Sequence, residues 1–365
     1  MKGLPRLGFG LYRHMLTPQN YRFARQAGAT DVVVHLVDYT GRLASPAPAG
    51  GSDDDQPVGG SEGWGRTDGD RDVWSVRYLR NLRDELADYG LRLHGIENFD
   101  PAHWYDVLLG GPERDRQIAW IQEVIENLGE VGIPIIGYNF SIAGVAGRIR
   151  GPFARGGAQS VGVDGIDDTP LPKGMVWNMT YDAAPPGGTV PEATHEELWD
   201  RLHYFLERVL PVAERRGVVL AAHPDDPPAA RVRRQPRLVY STELYDKLFG
   251  LVDSPASKAE LCLGTVQEMR DGDVYSLAAD LSRRSRIGYV HFRNVVGTVP
   301  NYHEVFVDEG DIDLPRIMTI FAEHGFDGVL IPDHTPHMAC DAPWHSGMAY
   351  AMGYMRGLLQ RLERD

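Results

Sequence analysis

Four residues of types that bind divalent metal ions stand at comparable points of the sequence. Each ends or directly follows a short apolar run that is typical of a buried β-strand. They are His223 after residues 218–222, Cys262 after 260–261, His291 after 288–290, and Asp333 after 329–332. Two imidazoles, a thiolate and a carboxylate form a mixed ligand set that a divalent cation neutralises, with positions left open for substrate oxygens.

A single member of this set has an ordinary structural explanation. A strand-end histidine can bond a backbone carbonyl, a cysteine can pack as a small apolar residue, and an aspartate can cap a helix. All four together would be buried side by side without compensation, which is costly. The sequence therefore predicts a metal site. The thiolate suits Zn²⁺, Fe²⁺ or Co²⁺, whereas an open site that accepts oxygen ligands also suits Mn²⁺.

Groups suited to proton transfer and substrate binding follow the same predicted strand ends. Asp225 lies two residues beyond the first ligand candidate, and His334 directly follows the last. Both are candidate general acids or bases. Arg293 and Asn294 follow the third ligand candidate, and a guanidinium there can bind a carboxylate in bidentate fashion. Further candidate substrate ligands at or just beyond strand ends are Glu97, Tyr138, Asn139 and His337. An ordinary hydrogen bond within a loop is the alternative for each of them.

The elements that must position these residues alternate regularly. Short apolar or β-branched runs predict eight strands, at residues 6–11, 31–37, 91–97, 133–140, 217–223, 259–263, 287–293 and 327–333. A stretch with helical spacing follows each strand, at 18–27, 76–89, 112–131, 195–215, 241–251, 273–284, 313–324 and 344–363. Eight βα units predict an α/β fold, the (β/α)8 TIM barrel, whose active site lies at the carboxyl ends of the strands.

One barrel domain over residues 1–365 leaves about 100 residues for loops, since a typical barrel has about 250. Two insertions contain most of them, 41–72 after the second strand and 141–193 after the fourth. Both follow strand carboxyl ends. We expect them to act as lids or specificity walls, and a surface insertion without a role is the alternative.

The composition argues against several classes of function. An excess of Asp and Glu over Lys and Arg, 51 against 37, gives a net charge of −14, which repels nucleic acid. The sequence has neither an apolar run of the roughly 18 residues that a membrane span needs nor a signal-peptide pattern. Two cysteines are too few for a disulfide framework. We expect a cytoplasmic enzyme with a small-molecule sugar or sugar-acid substrate and no nucleic-acid or membrane partner. A homo-oligomer is left open.

Several segments, in order from about residue 28 to the C-terminus, resemble the mannonate dehydratase family. The most specific are His223-Pro224-Asp225-Asp226-Pro227-Pro228, Cys262-Leu263-Gly264, His291-Phe292-Arg293 and Pro332-Asp333-His334. The resemblance implies a xylose-isomerase-like barrel that dehydrates D-mannonate to 2-keto-3-deoxy-D-gluconate with Mn²⁺. It implies the same four metal ligands and a role for His334 in proton transfer.

The departures from the family pattern fall on the substrate side. Where the family has a Trp-Thr-Arg segment after its Tyr-Asn-Phe strand, the chain lacks the indole and keeps only Arg148 as a substrate-binding candidate. The family's catalytic tyrosine aligns near Ala349, with Tyr350 one place away. Val37 and Asp38 stand where two histidines end the family's second strand. We therefore expect a preserved metal site and an altered substrate pocket.

For a sugar acid, the expected reaction removes the C2 proton and protonates the departing C3 hydroxyl. His334 is the first candidate for one of these roles and Tyr350 for the other, with Arg293 holding the carboxylate. A metal-dependent isomerase, epimerase or eliminase acting on another sugar derivative would use the same metal ligands. A non-catalytic sugar-binding barrel is the third alternative, and the intact ligand set argues against it.

Overall fold

The computed structural model describes residues 3–39 and 63–364, and its centre is a closed barrel of eight strands. The strands are β1 (Arg6–Tyr12), β2 (Asp31–His35), β3 (Arg92–Glu97), β4 (Ile135–Tyr138), β5 (Val219–Ala222), β6 (Ser257–Cys262), β7 (Ile287–His291) and β8 (Val329–Ile331). They follow one another around the barrel in chain order, all parallel, and β8 closes the ring against β1. The predicted fold and its eight strands are confirmed.

The two faces of each strand pack against different surroundings, because successive side chains alternate. One buried cluster, inside the barrel, contains Val33, Ala221, Tyr289 and Ile331. Their neighbours Val32, Val34, Leu220 and Val290 belong to the larger core between the strands and the helices. Two residues further along, the inward face reaches the barrel mouth at His35, His223, His291 and Asp333. Because side chains alternate between the two faces of a strand, only every second residue points toward the barrel mouth.

The described residues form ten α-helices, which surround the barrel or follow strand ends. They are Pro18–Gln26, Val76–Asp88, Pro101–Leu109, Arg114–Val131, His195–Arg216, Leu244–Leu251, Leu263–Glu268, Val274–Arg283, Leu314–His324 and Pro343–Leu362. All eight predicted helices are present. The helices Pro101–Leu109 and Leu263–Glu268 were not predicted, because nine and six residues are too few for a periodic pattern. Among the described helices, none combines the length and the apolarity needed to cross a bilayer.

Capping side chains fix where several helices begin. The Ser75 side chain accepts a hydrogen bond from the backbone N–H of Tyr78. Thr194 and Glu197 form a capping box, in which each side chain accepts from the backbone N–H of the other. These contacts explain why the sequence located the starts of these two helices within a residue.

A four-stranded antiparallel sheet, built from the loops after β4 and β7, lies at the barrel mouth. Its strands, in spatial order, are Asn294–Thr298, Asn301–Val305, Ala158–Asp164 and Arg148–Ala154. Insertion 141–193 is therefore largely folded, and it also contains the short pair Met175–Val176 and Met179–Thr180. Of insertion 41–72, only residues 63–72 belong to the described part, so the prediction for the remainder lies outside it.

A candidate metal centre and active-site cavity

The four predicted metal ligands converge at the carboxyl ends of β5, β6, β7 and β8. One ligand atom from each of His223, Cys262 and His291 lies within 4.8 Å of the others. The Oδ2 atom of Asp333 lies 3.3 Å from Nδ1 of His291. The structure thus brings together the residues that the sequence grouped, while their role as metal ligands stays a prediction.

Neighbouring groups orient the rings of both histidines. Nδ1 of His223 lies 2.5 Å from the carbonyl oxygen of Pro224, so it carries the proton and leaves Nε2 as the electron-pair donor. Nε2 of His291 lies 3.3 Å from Oε2 of Glu97 and 3.2 Å from Oε1 of Glu260. Nδ1 of His291 is buried and has no hydrogen-bond partner among the described residues. An orphaned ring nitrogen whose opposite N–H meets a carboxylate is the usual arrangement of a metal-ligating histidine.

Neighbouring positive charges and hydrogen bonds favour the ionised forms of Cys262 and Asp333. Burial raises the pKa of the Cys262 thiol, but the Arg293 charge and hydrogen bonds with His223 and His291 outweigh it and hold this pKa well below its usual range. Burial likewise opposes ionisation of Asp333, and the charge of His291 overcomes it, so the pKa of Asp333 is lowered. A thiolate and a carboxylate beside two imidazoles fit a divalent cation.

Two buried carboxylates, Glu97 and Glu260, support His291 from the barrel interior. Burial and the charge of Glu97 raise the pKa of Glu260, which keeps its proton. Burial acts on Glu97 too, but the His35 and His291 charges outweigh it and lower the pKa of Glu97. The ionised Glu97 then accepts hydrogen bonds from His291 and from the Tyr289 hydroxyl, which lies 3.1 Å away. Sequence reasoning missed Glu260, although it stands on the inward face two residues before a ligand candidate.

A cavity of about 520 Å³ opens at this cluster. His223, His291 and Asp333 lie on its wall. Further polar residues on the wall are His35, Glu97, Asn98, Asn139, Arg148, Asp226 and His334. Four of the predicted catalytic or substrate-binding residues, Glu97, Asn139, Arg148 and His334, therefore reach the cavity.

His334 and Arg148 lie on the cavity wall, and neighbouring carboxylates hold each of them. Nδ1 of His334 lies 3.2 Å from Oε1 of Glu304, and its Nε2 lies 3.3 Å from Oδ1 of Asp333. Burial lowers the pKa of His334, but these two negative charges outweigh it and raise the pKa. Nη2 of Arg148 donates to Oδ2 of Asp226 at 3.0 Å. Neither Asp226 nor Glu304 was assigned a role from the sequence.

The structure does not bring Arg293 to the cavity wall. Its Nη1 donates to Oε1 of Glu268 at 2.7 Å, and its Nη2 donates to Asp226 and to Thr265 at 3.1 and 2.9 Å. Because protein carboxylates occupy this buried guanidinium, it does not hold a substrate carboxylate as expected. Asn294 also lies away from the cavity, where its side chain bonds the backbone of Val307 and Ile312.

Asp225 and Tyr138 also have structural surroundings rather than the expected site contacts. Asp225 is buried, with Oδ2 accepting from the backbone of Leu238 and Val239 and Oδ1 accepting from Arg237. These three bonds leave no basis for a catalytic role. Tyr138 is on the outward face of β4 and packs in the core between the strands and the helices. The preceding residue, Gly137, is the one on the inward face of this strand.

Tyr350 and His337 lie outside the cavity as well. The Tyr350 ring packs edge-on against Phe306, with centroids 5.7 Å apart. Hydrogen bonding of its hydroxyl involves Asp308 and Arg155. The backbone N–H of His337 donates to Gln159, which anchors the loop after β8 to the four-stranded sheet. The expected proton-transfer role of Tyr350 therefore has no geometric support.

His35 is a cavity residue that the sequence analysis missed. The second strand ends at His35 and not at residue 37, so Val37 and Asp38 lie just beyond the strand, and their replacement of two family histidines stays a prediction. Nε2 of His35 lies 3.6 Å from Oε2 of Glu97, and Nδ1 lies 3.3 Å from the Tyr39 hydroxyl. The period of two from the buried Val33 could have identified it.

Four aromatic residues form part of the cavity wall, and we call them the aromatic wall: Tyr12, Tyr39, Trp64 and Trp177. Tyr12 stacks on the His35 ring at 4.5 Å. Trp177 contacts Tyr39 at 5.4 Å and Trp64 at 5.5 Å between centroids. The expected loss of an aromatic group after β4 is thus offset by indoles from the two insertions. Sequence reasoning could not identify the aromatic wall, because its assembly depends on the paths of the loops.

The fold and the site together define a (β/α)8-barrel enzyme with a cluster of candidate metal-ligand side chains at the base of a cavity. The model of the D-mannonate dehydratase (UxuA) family matches residues 60–154 and 190–365, which is well over half of the chain. The protein belongs to the D-mannonate dehydratase family.

Curated relatives agree with this family. The chain is 28% identical over 278 residues to the mannonate dehydratase of Streptococcus pneumoniae (strain 70585), covering 72% of this chain and 74% of the relative. It is 29% identical over 275 residues to mannonate dehydratase 2 of Halalkalibacterium halodurans, covering 72% of this chain and 79% of the relative.

Solved structures agree on the fold. The crystal structure of mannonate dehydratase from Streptococcus suis serotype 2 superposes with a TM-score of 0.76 at 22% identity, covering 99% of this chain and 94% of that one. A structure of L-ribulose 3-epimerase reaches a TM-score of 0.56 at 14% identity, covering 99% and 96%. These likenesses concern the barrel and not the reaction.

Proposed function

We propose that the protein removes water from D-mannonate to give 2-keto-3-deoxy-D-gluconate, with one divalent cation, Mn²⁺, bound by His223, Cys262, His291 and Asp333. The observation that carries this proposal is the position of these four side chains on or directly beside a cavity that also contains His334. A chain of this family that keeps the ligand set and the adjoining histidine has the groups that the dehydration needs.

The cation, when bound, would act as a Lewis acid that draws electron density from substrate oxygens and makes the C2 proton more acidic. Arg148 takes over the role expected of Arg293, because its guanidinium lies on the cavity wall and can face the substrate carboxylate. Asp226 orients Arg148 through the hydrogen bond at 3.0 Å.

The dehydration needs one group that removes the C2 proton and one that protonates the departing C3 hydroxyl. The electrons of the C2–H bond form the C2=C3 bond as the C3–O bond breaks, water leaves, and the enol product takes a proton at C3 to become the 2-keto acid. We assign one of these roles to His334. The second falls to His35 in place of Tyr350, because His35 lies on the same cavity wall between Glu97 and Tyr39.

A reducing compartment such as the cytoplasm is part of this proposal, because an oxidised Cys262 sulfur would no longer bind the cation. A second candidate function is isomerisation or epimerisation of another sugar derivative. The aromatic wall favours this second candidate. Trp177, one of its four residues, lies within residues 155–189, which the family model does not match.

The test is incubation of the Mn²⁺-loaded protein with D-mannonate, with detection of the 2-keto-3-deoxy product and of residual substrate. Formation of that product supports the dehydratase. Unreacted D-mannonate in the presence of a fully metal-loaded protein contradicts it and favours the second candidate, for which a panel of ketoses and aldonates is then screened.

A further inference from the structure

Trp177 comes to the cavity wall from a segment that lies between the two stretches matched by the family model. The family model matches the chain on both sides of residues 155–189 but not within them. Trp177 lies inside this unmatched segment and yet forms part of the cavity wall. A segment outside the match of the family model therefore supplies a residue to the cavity wall.

The backbone at Trp177 is held in an uncommon conformation. Trp177 and Asn178 both have left-handed backbone angles, with φ of 53° and 58°. The Asn178 side chain donates to the carbonyl of Val145 at 3.2 Å and accepts from Arg233 at 3.1 Å. Arg233 is itself completely buried. Left-handed conformations of such residues persist only where the surroundings fix them, and they cluster at functional sites.

The Trp177 indole has one unused polar group. Nε1 is buried and has no hydrogen-bond partner among the described residues. Asn139 also lies on the cavity wall. Its Oδ1 is likewise buried without a hydrogen-bond partner among the described residues, while its Nδ2 donates to the carbonyl oxygen of Pro224. A buried polar atom without a partner calls for an explanation, and a ligand in the cavity is one. Together the two residues offer a donor and an acceptor, which is the pattern that hydroxyl groups satisfy.

Tyr39 and Trp177 lie across the barrel mouth from Cys262. Trp177 packs against Tyr39, which follows β2. Cys262 ends β6, and in a closed ring of eight strands β2 and β6 are opposite each other. A sugar acid whose carboxylate lies near the ligand cluster and Arg148 therefore extends its hydroxylated tail toward Trp177.

We propose that Trp177 determines specificity for the hydroxylated tail of the substrate. Its indole N–H donates a hydrogen bond to a tail hydroxyl, and its ring packs against the C–H groups of the same carbon chain. This inference rests on the proposed binding of a sugar acid. The substrate class is an acyclic aldonate long enough to span from the cation to the aromatic wall, with a hydroxyl at C5 or C6.

The variant W177F removes the N–H and keeps the aromatic packing, and W120F is the matched control, because Trp120 lies on the helix Arg114–Val131 and not on the cavity wall. We expect W177F to raise KM for D-mannonate about tenfold with kcat changed less than about twofold, because binding is lost equally from ground and transition states. We expect W120F to leave both constants near those of the wild type. Unchanged KM in W177F overturns the proposal.

A substrate comparison identifies the hydrogen bond itself. The wild type should bind D-mannonate about tenfold more tightly than its 5-deoxy or its 6-deoxy analogue, whichever lacks the bonded hydroxyl. W177F should bind that pair equally. Equal binding of D-mannonate and both analogues by the wild type contradicts the proposal even if W177F does not fold.

Calorimetric Kd values separate this inference from the proposed function. If the wild type does not turn over D-mannonate, the proposed dehydration fails, and the same Kd comparison is made over a panel of aldonates. The inference then requires that the aldonate that binds best loses about tenfold in affinity in W177F and not in W120F. Equal affinities in all three proteins overturn it.

Discussion

The Nδ1 atom of His334 lies 3.2 Å from the Oε1 atom of Glu304, so a strand of the sheet at the barrel mouth orients the imidazole that follows β8. The other ring nitrogen faces Asp333. Glu304 does not lie on the cavity wall, and it acts through His334 as a positioning residue. The loop after β7 thus contributes to the candidate site through this strand.

The variant E304Q tests this arrangement. We expect kcat to fall by roughly 10- to 100-fold with bound metal unchanged, because the imidazole loses its charged partner, and H334A to fall at least about 100-fold. The double variant E304Q/H334A should be no slower than H334A alone, since both changes affect one group. Steady-state kinetics measure all three. If the loss of kcat in the double variant equals the product of the two single losses, Glu304 acts independently of His334.

His35 and Tyr350 are rival candidates for the second proton-transfer role. We expect H35Q to lower kcat about 100-fold and Y350F to change it less than about twofold. The reason is position, because His35 lies on the cavity wall whereas the Tyr350 ring packs against Phe306 outside it. Metal content and melting temperature of both variants serve as controls. A large loss in Y350F with an active H35Q would reverse the assignment.

His94 predicts a pH dependence of stability that is separate from the active site. Burial lowers the pKa of His94 to about 4, although the negative charge of Asp31 partly opposes this. The unfolded chain binds a proton at its ordinary pKa of about 6.5, so the unfolded state holds more protons between these values. The stabilising contribution is complete above that window and is lost as the pH falls through it.

Urea unfolding of the metal-free protein at pH 7.5 and pH 5 measures this effect against H94Q. The wild type should lose about 2 kcal/mol more than H94Q between these two pH values. An equal loss in the two proteins would mean that His94 is protonated in the native state or exposed to solvent.

Most of the barrel could be predicted from the sequence, because its signals are local. Apolar runs and caps such as Ser75 and Thr194 fix the strands and helices. The metal-ligand set followed from the residue types at the ends of β5 to β8. The errors at Tyr138 and His35 arose because the phase or the end of a strand was misplaced by one or two residues. A shift of one residue moves a side chain to the opposite face of the strand.

The substrate side of the cavity could not be predicted, because it depends on contacts between distant loops. Trp64 and Trp177 meet only through the paths of two insertions. Arg293 follows β7, where a guanidinium could bind a substrate carboxylate, but its guanidinium donates hydrogen bonds to Glu268 and Asp226 instead. Sequence spacing carries no information on which of several carboxylates pairs with one guanidinium.

The central claim is that His223, Cys262, His291 and Asp333 hold one divalent ion, and elemental analysis after equilibration with Mn²⁺ and removal of free metal tests it most directly. We expect about one ion per wild-type chain and its loss in H223A, C262S, H291A and D333N. C340S is the matched control, because Cys340 is an exposed cysteine away from the cluster, and it should keep the ion. A metal-free wild type, or full metal content in folded C262S and H291A, would contradict the account.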